Sequence, residues 1–370
     1  MMNLRASDVL LTRFAHRLPS VLRLLGDLES DLLRERIARI TLDRPVFITG
    51  LARSGTTILL NLFSSLPEVG THRYRDFPFL FVPYSWNHFQ NRLATTAPPV
   101  ERPHADRITI TRDSPEAFEE PLWMHFFPHV HDPNAHHVLS ASDDNAAFNA
   151  FYVAHLRKLL LVRNCERYVS KGNYNVARVQ YIAHLFPDAR FVVPIRHPLT
   201  HVDSLVRQHR LFTRYSEQDE RVPEYMRAAG HYEFGPQRVP INLDEGSTAR
   251  TLAAWAEGDD ALGYAVMWRS VYAHVRALLQ RSDLTKRIRV VRYEDLCANP
   301  RSVLEHLFEF CQLNAGAERL LAELPDISAP KPERQSLTEL QRAQVWRETT
   351  QIAEAFGYRE KGTECTPSFT

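Results

Sequence analysis

Cysteine, lysine and long apolar runs are scarce in this 370-residue chain. Its four cysteines have no Cys-x-x-Cys spacing, which argues against a zinc knuckle or a disulfide framework. No stretch approaches the roughly 18 apolar residues that a membrane-spanning helix needs. The formal net charge is only +1, so we expect no surface that binds nucleic acid or another polyanion.

The N-terminus lacks the pattern of a signal peptide, because arginines such as Arg13 and Arg17 interrupt each apolar run. We therefore expect a cytoplasmic, bacterial protein. Apolar residues in this segment recur at helical spacing, at Leu10, Phe14, Leu18, Val21, Leu25, Leu28 and Leu32. We expect this face to pack against the core or a partner subunit, since acidic residues such as Asp27 accompany it. A peripheral membrane contact stays open, and the oligomeric state is not predicted.

The most informative stretch is residues 46–57, with the sequence VFITGLARSGTT. It reads as a buried strand, a loop containing glycine and the start of a helix. This arrangement points backbone N–H groups and the positive end of a helix at one spot, which binds phosphate or sulfate. Glycines let the backbone approach the anion, while hydroxyls and one guanidinium donate to it. The predicted contacts are Arg53, Ser54, Gly55, Thr56 and Thr57.

The loop lacks the lysine of the nucleotide triphosphatases. When the motif G-x-x-x-x-G-K-S/T is aligned on Gly50 and Gly55, Thr56 stands at the lysine position. Kinases and ATPases use that lysine on the β- and γ-phosphates, so its absence argues against triphosphate chemistry. A nucleotide kinase or ATPase and a non-catalytic nucleotide-binding protein remain as alternatives.

Two further motifs follow the loop. Residues 186–198 read FPDARFVVPIRHP and precede Ser204, and residues 290–296 read VVRYEDL. In order and spacing, the three motifs resemble those of the sulfotransferases that use 3′-phosphoadenosine 5′-phosphosulfate (PAPS). The resemblance is closest to the carbohydrate and tyrosylprotein branch. It implies that the first loop holds the 5′-phosphosulfate and that Arg196 and Ser204 hold the 3′-phosphate.

This resemblance implies an α/β, P-loop-like fold with a central parallel sheet flanked by helices. The residues agree, because β-rich runs at 46–49, 190–195 and 288–292 alternate with helical stretches. We expect three parts, which are an N-terminal helical segment at 1–40, a sulfotransferase domain at 41–320 and a C-terminal helical extension at 321–370.

Two stretches, residues 83–145 and 209–250, do not follow the alternation of strands and helices. We interpret both as insertions that cap the site and set acceptor specificity. The implied reaction moves a sulfuryl group from PAPS to a hydroxyl, or an amine, of a carbohydrate, glycolipid or other metabolite by in-line displacement. The partner is thus a small-molecule or glycan acceptor. We expect no metal, because the histidines of the first insertion have no ligand spacing.

Charge stabilisation during transfer is assigned to Arg53 and Lys171. Lys171 ends a short β-like run and resembles the family's Lys-x-Pro segment, although glycine and asparagine replace the proline-defined turn. In the family branch, the general base is a carboxylate that follows a Pro-Glu-Val turn, and Asp76 lies near that position. A structural role for Asp76, paired with a neighbouring arginine, and a base role for His72 stay open.

The acceptor contacts are predicted at His72, Glu119 and Glu120. The last two belong to residues 113–123, DSPEAFEEPLW, which also read as a helix that begins at residues 114–116.

Overall fold

The computed structural model describes residues 6–92, 98–104, 106, 108–324, 327, 336–360 and 362–363. Its strands are β1 (Val46–Ile48), β2 (Val69–Gly70), β3 (Val100–Glu101), β4 (Thr109–Ile110), β5 (Arg167–Lys171), β6 (Arg190–Ile195), β7 (Ile288–Arg292), β8 (Tyr358–Arg359) and β9 (Gly362–Thr363). Its α-helices are α1 (Ala6–Arg17), α2 (Pro19–Leu32), α3 (Arg34–Ala38), α4 (Thr56–Ser64), α5 (Pro83–Arg92), α6 (Glu120–Phe126), α7 (Ala146–Arg163), α8 (Val179–Leu185), α9 (Pro198–Gln218), α10 (Arg221–Ala228), α11 (Glu245–Ala256), α12 (Asp260–Leu279), α13 (Tyr293–Ala298), α14 (Pro300–Cys311), α15 (Ala317–Ala322) and α16 (Glu339–Ala355). Short 3₁₀ helices lie at Tyr74–Asp76, Ala141–Asp143 and Asn173–Arg178.

A five-stranded sheet in the order β2-β5-β1-β6-β7 forms the centre of the molecule, and all its strands are parallel. Strand β1 is central, with Phe47 opposite Ser170 on one side and Phe191 on the other. Every residue of β1 is buried, as expected for a parallel strand that helices cover on both faces. The predicted α/β class with a central parallel sheet is confirmed.

The two faces of the sheet have separate cores, because successive side chains of a strand point to opposite faces. Phe47 joins the larger core, which is rich in aromatic residues such as Trp123 and Trp268. Val46 and Ile48 join a smaller aliphatic core beneath α4 and α14. The loop that follows β1 is therefore anchored through both faces of the sheet.

The order in which strands are added to the sheet reverses at β1, since β2 and β5 lie on one side of it and β6 and β7 on the other. In open α/β sheets, ligands bind at such a point, beyond the carboxyl ends of the strands. Lys171 ends β5, the glycine-containing loop follows β1, Arg196 follows β6 and Tyr293 follows β7. These four groups thus share one edge of the sheet.

The N-terminal helices α1 and α2 pack against α10 and α7, respectively, but with a different face from the one predicted. The seven apolar residues at helical spacing are exposed, from 38% at Leu18 to 87% at Leu32. Buried instead are Leu22, Gly26 and Glu29 of α2, whose carboxylate forms an ion pair of 3.0 Å with Lys158. Of the two alternatives, packing of this apolar face on the core is therefore wrong, because a different stripe with a buried ion pair faces inward, and contact with a partner subunit stays a prediction.

The predicted helix at residues 114–116 is also absent, since α6 begins at Glu120. Pro115 instead forms an isolated β-bridge with Arg73, and the N–H of Glu116 donates to the carbonyl oxygen of His72 at 3.1 Å. In the described part of the chain, no helix has the length and apolar character needed to cross a membrane.

Candidate active site

The loop between β1 and α4 depends on two glycines with positive φ, which are 133° at Gly50 and 108° at Gly55. A Cβ atom on Gly55 would lie 2.8 Å from Cδ2 of Tyr293, so a side chain there would also collide with that ring. The hydroxyl of Ser54 donates to the carbonyl oxygen of Leu51 at 2.8 Å and so holds the loop itself. With glycine at both positions, the backbone of the loop can approach an anion at the N-terminus of α4 closely.

Arg53 lies in this loop with a φ of 71°, an uncommon conformation for a residue with a side chain. Its Nη1 is 2.7 Å from Oδ2 of Asp106, and its Nε donates to the hydroxyl of Ser204 at 3.4 Å. Arg102 shares the same carboxylate at 2.9 Å and also donates to Thr57 at 3.2 Å. Burial alone would raise the pKa of Asp106, but the two arginines hold it well below its usual range.

Arg196 follows β6 and is only 6% exposed. It donates from Nε to Thr200 at 3.2 Å and from Nη1 to the carbonyl oxygen of Arg53 at 3.4 Å. Its guanidinium lies 5.2 Å from the centroid of the Tyr293 ring. No carboxylate of the described residues pairs with it within 4.0 Å, and burial lowers its pKa. A buried cation without a counter-ion is unfavourable, which makes this position suited to an anion.

Lys171 approaches the loop from the end of β5, with Nζ 3.2 Å from Oε1 of Glu116. Tyr74 donates to the other oxygen of Glu116 at 2.6 Å. Burial would raise the pKa of Glu116, but the charges of Lys171 and Arg102 lower it well below its usual range. Glu116 is therefore ionised, each of its oxygens accepts a hydrogen bond, and its negative charge compensates the charge of Lys171.

Two histidines face the same space in different protonation environments. Burial and the charges of Arg102 and Arg53 lower the pKa of His104 far below its usual value, so this imidazole is neutral. Burial also lowers the pKa of His231, but Glu233, whose Oε2 is 3.6 Å from Nδ1, and Glu116 together raise it above its usual value. The His231 side chain is 27% exposed, which leaves it accessible from the cleft.

Glu233 is itself held in place by Asn173, whose Nδ2 donates to Oε1 at 2.7 Å. The pKa of Glu233 would rise through burial, but His231 and Asn173 hold it below its usual value. A histidine with one nitrogen facing a fixed carboxylate is the arrangement of a positioned general base.

One cleft of about 490 Å³, including its open mouth, is lined by Arg53 and by most of the charged groups around it, whereas Arg196 and Ser204 are not among its lining residues. Polar lining comes from the loop after β1, from Lys171 and Asn173, and from both stretches predicted as insertions. The first stretch contributes Arg102, His104 and Glu116, and the second contributes His231 and Glu233. Apolar lining comes from Phe212, Met226 and Phe234.

Asp76, the predicted base, does not line this cleft. It is completely buried, and its carboxylate accepts from Nη2 of Arg163 at 2.7 Å and from the amide of Asn87 at 2.8 Å. Burial would raise its pKa, but His72 and Arg163 hold it well below its usual range. His72 lies behind the cleft as well, 3.1 Å from Nε2 of His155. This geometry favours the structural role that the sequence left open for Asp76.

The two predicted acceptor carboxylates are also buried away from the cleft. Glu119 accepts hydrogen bonds from the hydroxyls of Tyr152 and Tyr168. Glu120 pairs with Arg178 at 2.6 Å and with His131 at 2.6 Å. Their hydrogen-bonding capacity is used within the core, so neither is placed to contact an acceptor.

At this edge of the sheet, the N-terminus of α4 and the side chains of Arg53 and Lys171 form a site suited to an anionic group. The model of the sulfotransferase family matches residues 45–239, more than half of the chain, and the chain belongs to that family. It is therefore an enzyme of the sulfotransferase class. Among the described residues, no group of three or more histidine, cysteine or carboxylate side chains is arranged to hold a metal.

Three solved structures of sulfotransferases are among those to which this chain is similar. A sulfotransferase from Mycobacterium avium has 16% identity and a TM-score of 0.49, with 90% of this chain and 82% of that chain covered. One from Mycobacterium tuberculosis H37Rv has 15% identity and a TM-score of 0.44, covering 90% and 84%. One from Alicyclobacillus acidocaldarius has 14% identity and a TM-score of 0.41, covering 86% and 98%. No curated protein was found to match.

Proposed function

We propose that the enzyme transfers the sulfuryl group of PAPS to a hydroxyl of a carbohydrate, glycolipid or other small acceptor. The observation that carries this proposal is Arg196, a buried guanidinium that pairs with no carboxylate of the described residues and donates a hydrogen bond to the loop after β1. Two cationic positions at adjacent strand ends suit a nucleotide with anionic groups at both its 5′ and its 3′ position.

The residues present fit such a donor. The loop of residues 50–57, with Arg53, would hold the 5′-phosphosulfate, and Arg196 with Ser204 would hold the 3′-phosphate. PAPS supplies the sulfuryl group and, as its leaving group, the bisphosphate. Arg53 and Lys171 both line the cleft, where their positive charges would stabilise the negative charge that develops during transfer.

His231 is the proposed general base. Its Nδ1 faces Glu233, which orients the ring and favours the protonated form, so that Nε2 can take the proton of the acceptor hydroxyl. Glu116 is the poorer base, because Lys171 and Tyr74 already occupy its oxygens and its pKa is strongly lowered. The acceptor enters between the two stretches that supply His104 and His231, and these stretches are proposed to determine its identity.

Turnover tests this function. The enzyme is incubated with PAPS and a panel of carbohydrate, glycolipid and phenolic acceptors, and in parallel with ATP and Mg²⁺. We expect acceptor-dependent release of the bisphosphate together with a sulfated product, and loss of both in Lys171→Met. Hydrolysis of ATP or phosphorylation of an acceptor, without release of bisphosphate from PAPS, would contradict the proposal.

A further inference from the structure

Arg102 comes from residues 83–145, the first stretch interpreted as an insertion, and reaches the loop after β1. It lines the cleft, and its side chain is only 4% exposed. Its Nη1 donates to the hydroxyl of Thr57, in the first turn of α4, at 3.2 Å. Because the N-terminal end of a helix attracts negative charge and repels positive charge, a cation held there needs an anion beside it.

Backbone pairing and ring packing together position Arg102. Strands β3 and β4 are antiparallel, and the N–H of Arg102 extends their pairing by donating to the carbonyl oxygen of Ile108 at 3.0 Å. Two residues later, the ring of His104 packs edge-on against Phe212 of α9, with the ring centroids 5.2 Å apart. The hairpin that carries Arg102 thus rests on the same helix that carries Ser204.

One carboxylate, that of Asp106, contacts both Arg102 and Arg53. Its Oδ1 accepts from Nε of Arg102 at 2.9 Å, and its Oδ2 is 2.7 Å from Nη1 of Arg53. Among the described residues, it is the only carboxylate within 4.0 Å of the Arg53 guanidinium. The two guanidinium groups therefore share a single negative charge, and its two oxygens mark a position from which an anion contacts both of them.

A second carboxylate near Arg102 does not balance the remaining charge. Glu116 comes within 4.0 Å of Arg102, but it also pairs with Lys171 at 3.2 Å. The three cations Arg53, Arg102 and Lys171 thus share two carboxylates, and one positive charge among these five side chains remains. A phosphate or sulfate group, which presents several anionic oxygens, suits two adjacent guanidinium groups better than a single carboxylate does.

We propose that Arg102 is a further donor-binding residue, which contacts the 5′-phosphosulfate together with Arg53. The 5′ anion takes the place of the Asp106 carboxylate at the two guanidinium groups, while the hydrogen bond to Thr57 keeps Arg102 at the loop. This inference deepens the proposed sulfuryl transfer and rests on it. It gives the stretch at residues 83–145 a role in holding the donor as well as the acceptor.

Calorimetric titration with two nucleotides isolates a contact with the 5′ group. Adenosine 3′,5′-bisphosphate carries the 5′-phosphate, whereas adenosine 3′-monophosphate, titrated in competition with it, does not. Loss of Arg102 alone would leave Asp106 entirely to Arg53, so Arg102→Gln is made in the Asp106→Asn background and compared with Asp106→Asn. We expect bisphosphate affinity to fall about tenfold or more, because a charged hydrogen bond is lost, and monophosphate affinity to change less than about twofold.

Arg102→Lys in the same background keeps the charge and should lose less affinity than Arg102→Gln. The matched control is Arg112→Gln, at an arginine of the same stretch that does not line the cleft and donates to Gln90. It should leave both affinities unchanged, and circular dichroism confirms that each variant folds. Unchanged bisphosphate affinity in the double variant, or an equal loss for both nucleotides, would overturn the role of Arg102 alone. A wild-type protein that binds no bisphosphate would overturn the proposed function together with this inference.

Discussion

Arg196 donates a hydrogen bond from Nη1 to the backbone carbonyl oxygen of Arg53, 3.4 Å away. The bond joins the residue that follows β6 to the loop that follows β1, and Arg53 in turn donates to Ser204 on α9 at 3.4 Å. Hydrogen bonds therefore join three positions that are far apart in sequence, and two of the three carry a positive charge. An anion bound by Arg196 also steadies the loop that holds the other end of the proposed donor.

Gly55→Ala should impair nucleotide binding, because the new methyl group would collide with Tyr293, whereas the same change at Gly258 meets no neighbour. Gly55 and Gly258 both have positive φ, 108° and 80°, so alanine at either position costs about 1 kcal/mol of stability. Only at Gly55 does the new Cβ atom meet a neighbour, the Tyr293 ring at 2.8 Å, whereas Gly258 has nothing within 4 Å. By calorimetry, we expect bisphosphate affinity to fall at least about tenfold in Gly55→Ala and to be unchanged in Gly258→Ala. Equal affinities would mean that the loop does not contact the nucleotide.

Asp106→Asn should strengthen bisphosphate binding. The Asp106 carboxylate pairs with Arg53 at 2.7 Å and also with Arg102, so an incoming anion must compete with it. Removing its charge should raise the affinity about threefold to tenfold. Asp113→Asn, at a carboxylate that pairs with Arg75 on the surface, is the control. Weaker binding in Asp106→Asn would instead mean that Asp106 preorganises the two arginines.

His231 should determine the acidic limb of the pH–rate profile. A base acts in its unprotonated form, and Glu233 raises the pKa of His231 above its usual value of 6.5, so kcat/KM should rise as the pH passes through that raised pKa. His231→Gln should lower kcat by about 100-fold and abolish the limb. Glu233→Gln should move the limb to lower pH, since the group that raises the pKa has lost its charge.

The exposed residue His129 provides the matched control, because His129→Gln changes an imidazole outside the cleft. It should leave the profile unchanged. An acidic limb that persists at the same pH in His231→Gln would transfer the role of base to another group.

Asp76→Asn should reduce stability far more than it reduces catalysis. Asp76 is completely buried against Arg163, and removal of one partner from a buried ion pair costs about 3 to 5 kcal/mol. The folded-state pKa of Asp76 is lowered, so its contribution is present above the unfolded pKa and is lost as the pH falls. Urea unfolding at neutral and acidic pH should therefore show a difference between variant and wild type that shrinks on acidification. A fully stable variant with no turnover would restore Asp76 as the base.

The sequence was sufficient to predict the parts of the site that depend on local structure. A strand that runs directly into a loop and a helix fixes where Arg53 and Gly55 lie. Arg196 and Lys171 end neighbouring parallel strands, and the carboxyl ends of such strands meet at one edge. The parallel sheet and the motifs at its strand ends therefore predict that Arg53, Lys171 and Arg196 lie at one edge of the sheet.

The remaining residues depend on contacts between distant segments. His231 and Glu233 belong to no motif, and Glu233 is held by Asn173, 60 positions earlier. Asp76 occupies a plausible position for a base, but Arg163, 87 positions later, pairs with it in the core. The exposed apolar face of α1 and α2 shows the same limit, because helical periodicity reveals an apolar face without indicating what covers it.

Calorimetric titration with 3′-phosphoadenosine 5′-phosphate, beside ATP with Mg²⁺, tests the central claim most directly. Wild-type protein, Arg196→Ala and the surface control Arg319→Ala are compared, since the Arg319 side chain is 83% exposed. We expect micromolar binding of the bisphosphate, its loss only in Arg196→Ala, and no comparable binding of ATP. Tight, Mg²⁺-dependent binding of ATP with no response to the bisphosphate would contradict the account.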